Sequence, residues 1–254
     1  MSEKRVIVHK TEGPVTVQDI ANVIDHSLLQ PNMTIQTIEE GCDIAAKYNC
    51  VSVCVRASEL GIAMEKLKDT DVLVTTVIGF PHGATTTKSK VFETIDAVET
   101  GAVEVDMVLN IGRLISGDYD YVYNDIAQVV KAAHERGALV KVIFENSYLT
   151  DEQKKKACKI CEDAGADFVK TSTGYAPTGA TIEDLKLMRS CCSPKVQVKA
   201  AGGVKDLDAA LAVMATGTVR IGTRSTVDIL EEAIKREKLG TLAINTEGKL
   251  GEGY

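Results

Sequence analysis

The chain lacks any run of about 18 apolar residues, the minimum for a membrane-spanning helix, and its opening stretch MSEKRVIVHKTEG is too polar for a secretion signal. It also lacks low-complexity tracts, which argues against disorder, and it shows no composition shift or linker that would divide it. Positive charge is in short supply. With 29 Lys and Arg against 36 Asp and Glu, the net charge of -7 opposes a nucleic-acid or anionic-membrane surface. Any anion site must therefore be a small local pocket, of the size a phosphorylated metabolite needs. A cytoplasmic protein is expected, with neither nucleic acid nor membrane as partner.

Paired cysteines are missing too. Seven cysteines, at 42, 50, 54, 158, 161, 191 and 192, are an odd number in a chain with no export signal, so reduced thiols are expected rather than a disulfide framework. Cys158 and Cys161 form a C-x-x-C, but it lies in the helical pattern KKKACKICEDAG with no second Cys or His pair at zinc spacing. Neither a metal nor a cofactor is expected.

What is present is ample core material, 44% hydrophobic residues in 254, arranged as a repeat. Short β-branched runs recur near residues 23, 51, 71, 103, 138, 166, 196 and 218, with helix-like segments between them. Helix starts are marked by Thr34, Thr150-Asp151 and Asp206, and the last two of these helices close at Gly165 and Gly217. Eight such units fit one (β/α)8 TIM barrel over residues 1–254. A doubly wound open sheet is the competitor, but regular repeats without a linker favour closure. Residues 1–22 form an N-terminal extension whose amphipathic TVQDIANVI predicts a short helix over the barrel's lower end. Residues 246–254 read as a flexible C-terminal tail.

Alternate strand residues face the lumen and the helices, and in several runs the lumen set is polar. The pattern groups Ser52, Cys54 and Arg56, then Glu104 with Asp106, Lys141 with Glu145, Gln197 with Lys199, and isolates Arg220. Buried charges are costly unless paired, so this set is either a structural ion-pair network or an active site. Catalytic residues of such barrels sit at strand C-termini, and Asp106, Lys170 and Lys199 are expected there.

A free lysine, with a pKa near 10.4, carries a lone pair in about one molecule in a few thousand at neutral pH. Lowering that pKa to roughly 7 takes about 4 to 5 kcal/mol. A second cation about 4 Å away supplies about 4 kcal/mol at an effective dielectric of about 20. Lys199 on the strand next to Lys170 would therefore make Lys170 a nucleophile for Schiff-base chemistry, and Asp106 between them would carry protons. The plain alternative for Asp106 is a salt bridge. Glycines follow the last two strands in KAAGGVKD and RIGTRST, each before a helix, which fits either a phosphate cup or tight strand-to-helix turns.

The stretches IDHSLLQP, VIGFPHGA, EVDMVLNIG, LVKVIFEN, FVKTSTGY, VKAAGGVK and RIGTRS together resemble the deoxyribose-phosphate aldolases over almost the whole chain. The resemblance implies a metal-free class I aldolase that reversibly cleaves 2-deoxy-D-ribose 5-phosphate to acetaldehyde and D-glyceraldehyde 3-phosphate, with a sugar phosphate and an aldehyde as its small-molecule partners and a homodimer as its assembly. It assigns Lys170 to the Schiff base, Lys199 to its perturbation and Asp106 to the proton relay. It places Gly174, Gly202, Gly203, Gly222 and Ser225 around the phosphate, Asp25 and Thr171 near sugar hydroxyls and bound water, and Tyr254 as a catalytic accessory. The sequence departs from the family at Arg224, where a small hydroxyl residue is usual. An isomerase would need no imine-forming lysine, and a sugar-phosphate sensor without chemistry would lack the nucleophile or the relay.

Overall fold

In the computed structural model, which describes residues 9–251, eight strands form a closed barrel in chain order. They are β1 Ile24–Leu28, β2 Ser52–Val55, β3 Leu73–Ile78, β4 Glu104–Val108, β5 Leu139–Ile143, β6 Phe168–Lys170, β7 Gln197–Ala201 and β8 Arg220–Thr223. Each pairs in parallel with the next, and β8 closes on β1 through Ile24 opposite Ile221 and Asp25 opposite Gly222. The helices are α1 Val17–Ala21, α2 Ile35–Lys47, α3 Leu60–Leu67, α4 Thr87–Thr100, α5 Ile111–Ile115, α6 Tyr119–His134, α7 Asp151–Asp163, α8 Ile182–Cys191, α9 Leu207–Ala215 and α10 Thr226–Lys238. Among the described residues, none is long and apolar enough to cross a membrane.

The helix signals act through hydrogen bonds. Thr34, Thr150 and Asp206 each accept from a backbone N–H in the first turn of α2, α7 and α9, which satisfies donors that have no partner inside the helix. Gly165 and Gly217 follow α7 and α9 in left-handed conformations, φ 81° and 83°. Cys158 and Cys161 lie on the buried side of α7, as its helical pattern requires. The main core is aliphatic and fills the space between strands and helices, where outward strand residues such as Val53, Val105, Val140, Val142 and Val198 meet the inner faces of the helices.

Segments near both limits of the described residues pack on the barrel. Residues 13–15 pair antiparallel with 242–244, through Val15 N to Leu242 O at 3.3 Å and Ile244 N to Gly13 O at 2.9 Å. The short helix α1 packs on α10 and reaches the turn before β2, where Gln18 donates to Asn49 O. At the barrel's lower end His9 lies close to Arg220 in the lumen; burial, with help from that guanidinium, lowers its pKa to about 4. The tail, expected to be loose, is packed in its described part. Asn245 donates to Asp208 at 3.1 Å, and Gly251 N donates to Gly203 O at 2.8 Å. Its passage across α9 explains why that helix is buried on nearly every side.

Candidate active site

Lys170 is the last residue of β6, and the register sets it directly beside Lys199 of β7. Asp106 of β4 is likewise set beside Lys141 of β5. All four side chains turn into the lumen and are buried. Lys170 Nζ lies 2.7 Å and Lys199 Nζ 2.8 Å from the same oxygen, Asp106 Oδ2, while Lys141 Nζ donates to Asp106 Oδ1 at 2.8 Å. Lys199 also donates to Asp25, whose other oxygen accepts from Ser52 at 2.8 Å. One layer lower, Glu104 lies 2.5 Å from Lys141 and 3.2 Å from Arg220.

The network is unequal in charge. Three carboxylates, Asp25, Glu104 and Asp106, face four cationic side chains, Lys141, Lys170, Lys199 and Arg220. One proton is therefore held less well than the others, and Lys170 is where it is weakest. Burial lowers its pKa first and Lys199 lowers it further, against the pull of Asp106. Lys199 moves the opposite way: burial opposes its charge, but Asp106 and Asp25 together outweigh that and raise its pKa. Lys141 is raised likewise by Asp106 and Glu104. Burial also opposes ionisation of Asp106, yet the three lysines hold it well below the usual carboxylate range.

Several sequence expectations need correction. Burial precedes Lys199 as the cause of the Lys170 shift, where the sequence argument gave the neighbouring cation the leading part. Only Lys170 ends its strand; Asp106 and Lys199 sit mid-strand. Strands of a barrel are tilted, so one level of the lumen is supplied by different positions along neighbouring strands. Arg56 does not enter the lumen. It lies past the end of β2 and donates to the carbonyls of Gln30, Pro31 and Met33, with Glu59 as its ion pair. Gln197 sits at the lower rim, its amide on Pro194 O. Glu145 lies beyond β5 at the mouth, above Lys141 and outside the network.

The upper end of the lumen opens into a cleft lined by Asp25, Ser27, Leu29, Cys54, Lys170, Thr173, Lys199, Ala201 and Gly222. Gly222 also borders a second cavity of about 210 Å3, whose wall is Gly202, Gly203, Val204, Lys205, Thr223, Arg224 and Ser225. Here the two glycine loops come together, joined by Thr223 Oγ1 donating to Val204 O at 2.7 Å. Gly202 and Gly203 take φ 78° and 85°, a pair of left-handed residues that turns backbone toward the cavity. Ser225 precedes α10 without a side-chain cap, in contrast to Asp206 before α9, so among the described residues the first N–H groups of α10 are left uncapped by the residue before them. Those amides, with Lys205 and Arg224, make a cup suited to an anion. Lys205 escaped the sequence reading because a lone lysine in a turn carries no signal of direction.

The remaining candidates separate. Asp25 reaches the cleft. Thr171 does not: its hydroxyl is engaged by the main chain of Ala201, at 3.2 Å to the carbonyl and 3.1 Å from the amide, because strand alternation turns it away from Lys170. Gly174, at φ 87°, turns the chain between Thr173 and Tyr175 and borders neither cavity. Tyr254 lies outside the described residues.

Comparison with known proteins gives this geometry a lineage. Residues 20–225 match the DeoC/LacD family aldolase pattern. The chain is 50% identical over 226 residues to the deoxyribose-phosphate aldolase of Caldanaerobacter subterraneus subsp. tengcongensis, an alignment covering 89% of this chain and 97% of the relative. Among solved structures, a Coccidioides immitis protein to which deoxyribose-phosphate aldolase activity is ascribed superposes with a TM-score of 0.85 at 36% identity, covering 92% of each chain. The deoxyribose phosphate aldolase of Aeropyrum pernix, described as tetrameric, superposes with a TM-score of 0.80 at 30% identity, covering 85% of this chain and 92% of that one. The matched span runs from before β1 into the loop after β8 and so contains the buried lysines, their shared carboxylate and both glycine loops: the chain belongs to the DeoC/LacD family of aldolases.

Proposed function

We propose that this protein is a class I aldolase that reversibly cleaves 2-deoxy-D-ribose 5-phosphate to acetaldehyde and D-glyceraldehyde 3-phosphate, with Lys170 as the amine that forms the Schiff base. The observation that carries the reading is the charge inequality of the lumen, which leaves one buried amine at the cleft wall with its pKa lowered. A neutral amine can attack the open-chain aldehyde carbon. The carbinolamine so formed loses water to give an iminium on Lys170. Loss of the C3 hydroxyl proton then breaks the C2–C3 bond, releases D-glyceraldehyde 3-phosphate and leaves an enamine. Protonation of that enamine at C2 and return of the water release acetaldehyde and restore the amine.

Proton traffic passes through Asp106 in this scheme. Its Oδ2 accepts from both Lys170 and Lys199, so one oxygen joins the reacting amine to the lysine that keeps its charge. Held ionised, Asp106 suits the part of acceptor when the substrate loses a proton, and Lys199 supplies the positive field that favours a neutral Lys170. Asp25 fixes Lys199 from the far side. The glycine cup, with Gly202, Gly203, Gly222, Ser225, Lys205 and Arg224, takes the 5-phosphate; Arg224 adds a guanidinium where relatives carry a small hydroxyl residue. The whole chain acts as one barrel domain, in the cytoplasm and as a homodimer, within the same proposal. Tyr254 keeps the accessory part the resemblance gives it.

The test is borohydride reduction in the presence of acetaldehyde, followed by peptide mapping. The expected product carries an ethyl group on Lys170. Labelling of another lysine, or active cleavage without any labelling, removes the mechanism.

A further inference from the structure

Glu145 is a buried acid next to the site that the mechanism above leaves unused. It is 3% exposed and stands two residues past the β5 terminus, at φ 58° and ψ 64°, a left-handed conformation rarely taken by a residue with a Cβ. Its neighbours on either side hold it there. Phe144 N donates to Lys170 O at 3.0 Å and Asn146 N donates to Thr171 O at 2.9 Å, so the strained residue is clamped against the end of the strand that carries the nucleophile. Strain over-determined by its surroundings is concentrated at functional sites.

The clamp aims the carboxylate at one target. Both oxygens accept from Thr173 N, at 3.2 and 3.3 Å, and one of them also accepts the Thr173 hydroxyl proton. Thr173 lines the cleft beside Lys170. Its Oγ1 accepts in turn from Tyr175 N at 3.0 Å, and the Tyr175 hydroxyl crosses the mouth to Leu29 O at 2.7 Å. A hydroxyl has one proton and two lone pairs. With the proton given to Glu145 and one lone pair given to Tyr175 N, what Thr173 offers the cleft is a single acceptor position. Its polarity is thereby set: it can receive a substrate O–H and cannot donate to one.

We infer that Glu145 is a positioning residue that, through Thr173, orients an acceptor for a hydroxyl of the substrate and so selects hydroxylated aldehydes over their deoxy counterparts. The inference rests on the aldolase reading. Glu145 touches no reacting atom in it; Thr173 is the group in contact with substrate. Burial raises the pKa of the Glu145 carboxyl, and the Thr173 bonds and the Lys170 charge offset part of that rise.

The experiment compares the wild-type protein with Glu145→Gln, Glu145→Ala, Thr173→Val and the Glu145→Ala/Thr173→Val double variant. Three quantities are read: acetaldehyde trapping on Lys170 by borohydride, kcat and KM for 2-deoxy-D-ribose 5-phosphate cleavage, and the ratio of kcat/KM for D-glyceraldehyde over propanal as acceptors of acetaldehyde. Glu145→Ala and Thr173→Val should each lower the D-glyceraldehyde preference about tenfold and raise KM for cleavage, with trapping kept within about threefold of wild type. The double variant should be no worse than the poorer single one, since both changes break the same link. Glu145→Gln, which keeps an acceptor oxygen, should recover most of the preference, and it decides the matter if the alanine variant does not fold. An unchanged acceptor preference, multiplying effects in the double variant, or trapping lost in step with cleavage would each overturn the inference. Failure of the wild-type protein to trap acetaldehyde at Lys170 counts against the aldolase reading instead.

Discussion

Two of the places where this molecule buries lysine against aspartate differ in balance. Between α4 and α6, Lys90 meets Asp125 at 2.5 Å, with Val108 O at 2.9 Å as its second acceptor and Thr87 donating to the other aspartate oxygen at 2.7 Å. Both side chains are fully buried. One cation meets one anion, each hydrogen-bonded, and nothing there faces a cavity. In the lumen, four cationic side chains share three carboxylates, and the cleft opens onto the member whose proton is held least firmly. The difference teaches that a buried ion pair is chemically silent when balanced. An excess of one sign is what turns the same residue types into a reactive group.

The strongest way to break the comparison is to remove one lysine from each place. Lys170→Met should abolish acetaldehyde trapping and reduce cleavage by about 10⁴-fold, while the protein stays folded, because its removal relieves the charge excess. Lys90→Met should do the reverse. It leaves Asp125 buried without its counter-ion and should cost about 3 to 5 kcal/mol in urea unfolding, with the activity of the folded fraction unchanged. Comparable activity losses in the two variants would sink the distinction.

Acid adds a second contrast, because the buried histidines and the lumen carboxylates titrate in different windows. His26 faces outward from β1 with Nδ1 2.8 Å from Thr226 Oγ1, and burial lowers its pKa from 6.5 to about 4. The unfolded chain therefore takes up this proton first, so the stability His26 contributes is full above about pH 6.5 and is lost as pH falls toward 4, a change of about 3 kcal/mol. His9 adds to the same window. Asp25 and Asp106 are depressed instead, so their contribution is intact above about pH 3.9 and is lost only below it. Urea unfolding at pH 7, 5.5 and 4.5 should show the first loss, and His26→Gln should flatten it. An equal slope in that variant would remove His26 as the cause.

The smallest expected effect concerns the perturbing lysine. Lys199→Leu removes a cation that lowers the Lys170 pKa and leaves Asp106 with one partner fewer, so both changes favour protonated Lys170. The rising limb of the kcat/KM profile should shift by about one to two units toward higher pH, with roughly ten- to a hundredfold slower cleavage at neutral pH. An unmoved limb would show that burial alone depresses Lys170.

Much of this was legible in the order of residues. The spacing of the β-branched runs predicts all eight strands, and Thr34, Thr150 and Asp206 mark helix starts that the structure places as expected, because these signals act within a few residues. The alternation of Glu104 and Asp106 against Val105, or of Lys141 against Val140 and Val142, likewise foretells which side chains enter the lumen. The pattern failed where strands end. Arg56 and Glu145 keep the parity of Cys54 and Lys141 but lie past the last strand residue, where the backbone turns out of the pleat, and in Glu145 turns left-handed.

What the sequence by itself determined is the repeat and the lumen's polar, charged lining, since composition and period are local properties of the chain. Only the tertiary structure decided which amine is the one left over. The tilt and register of the closed barrel bring Lys170 and Lys199 to a single oxygen of Asp106, give Asp25 to Lys199 and Glu104 to Lys141 and Arg220, and leave Lys170 the least compensated. The reason is that electrostatic energy depends on distance and burial, and neither exists until β8 closes on β1.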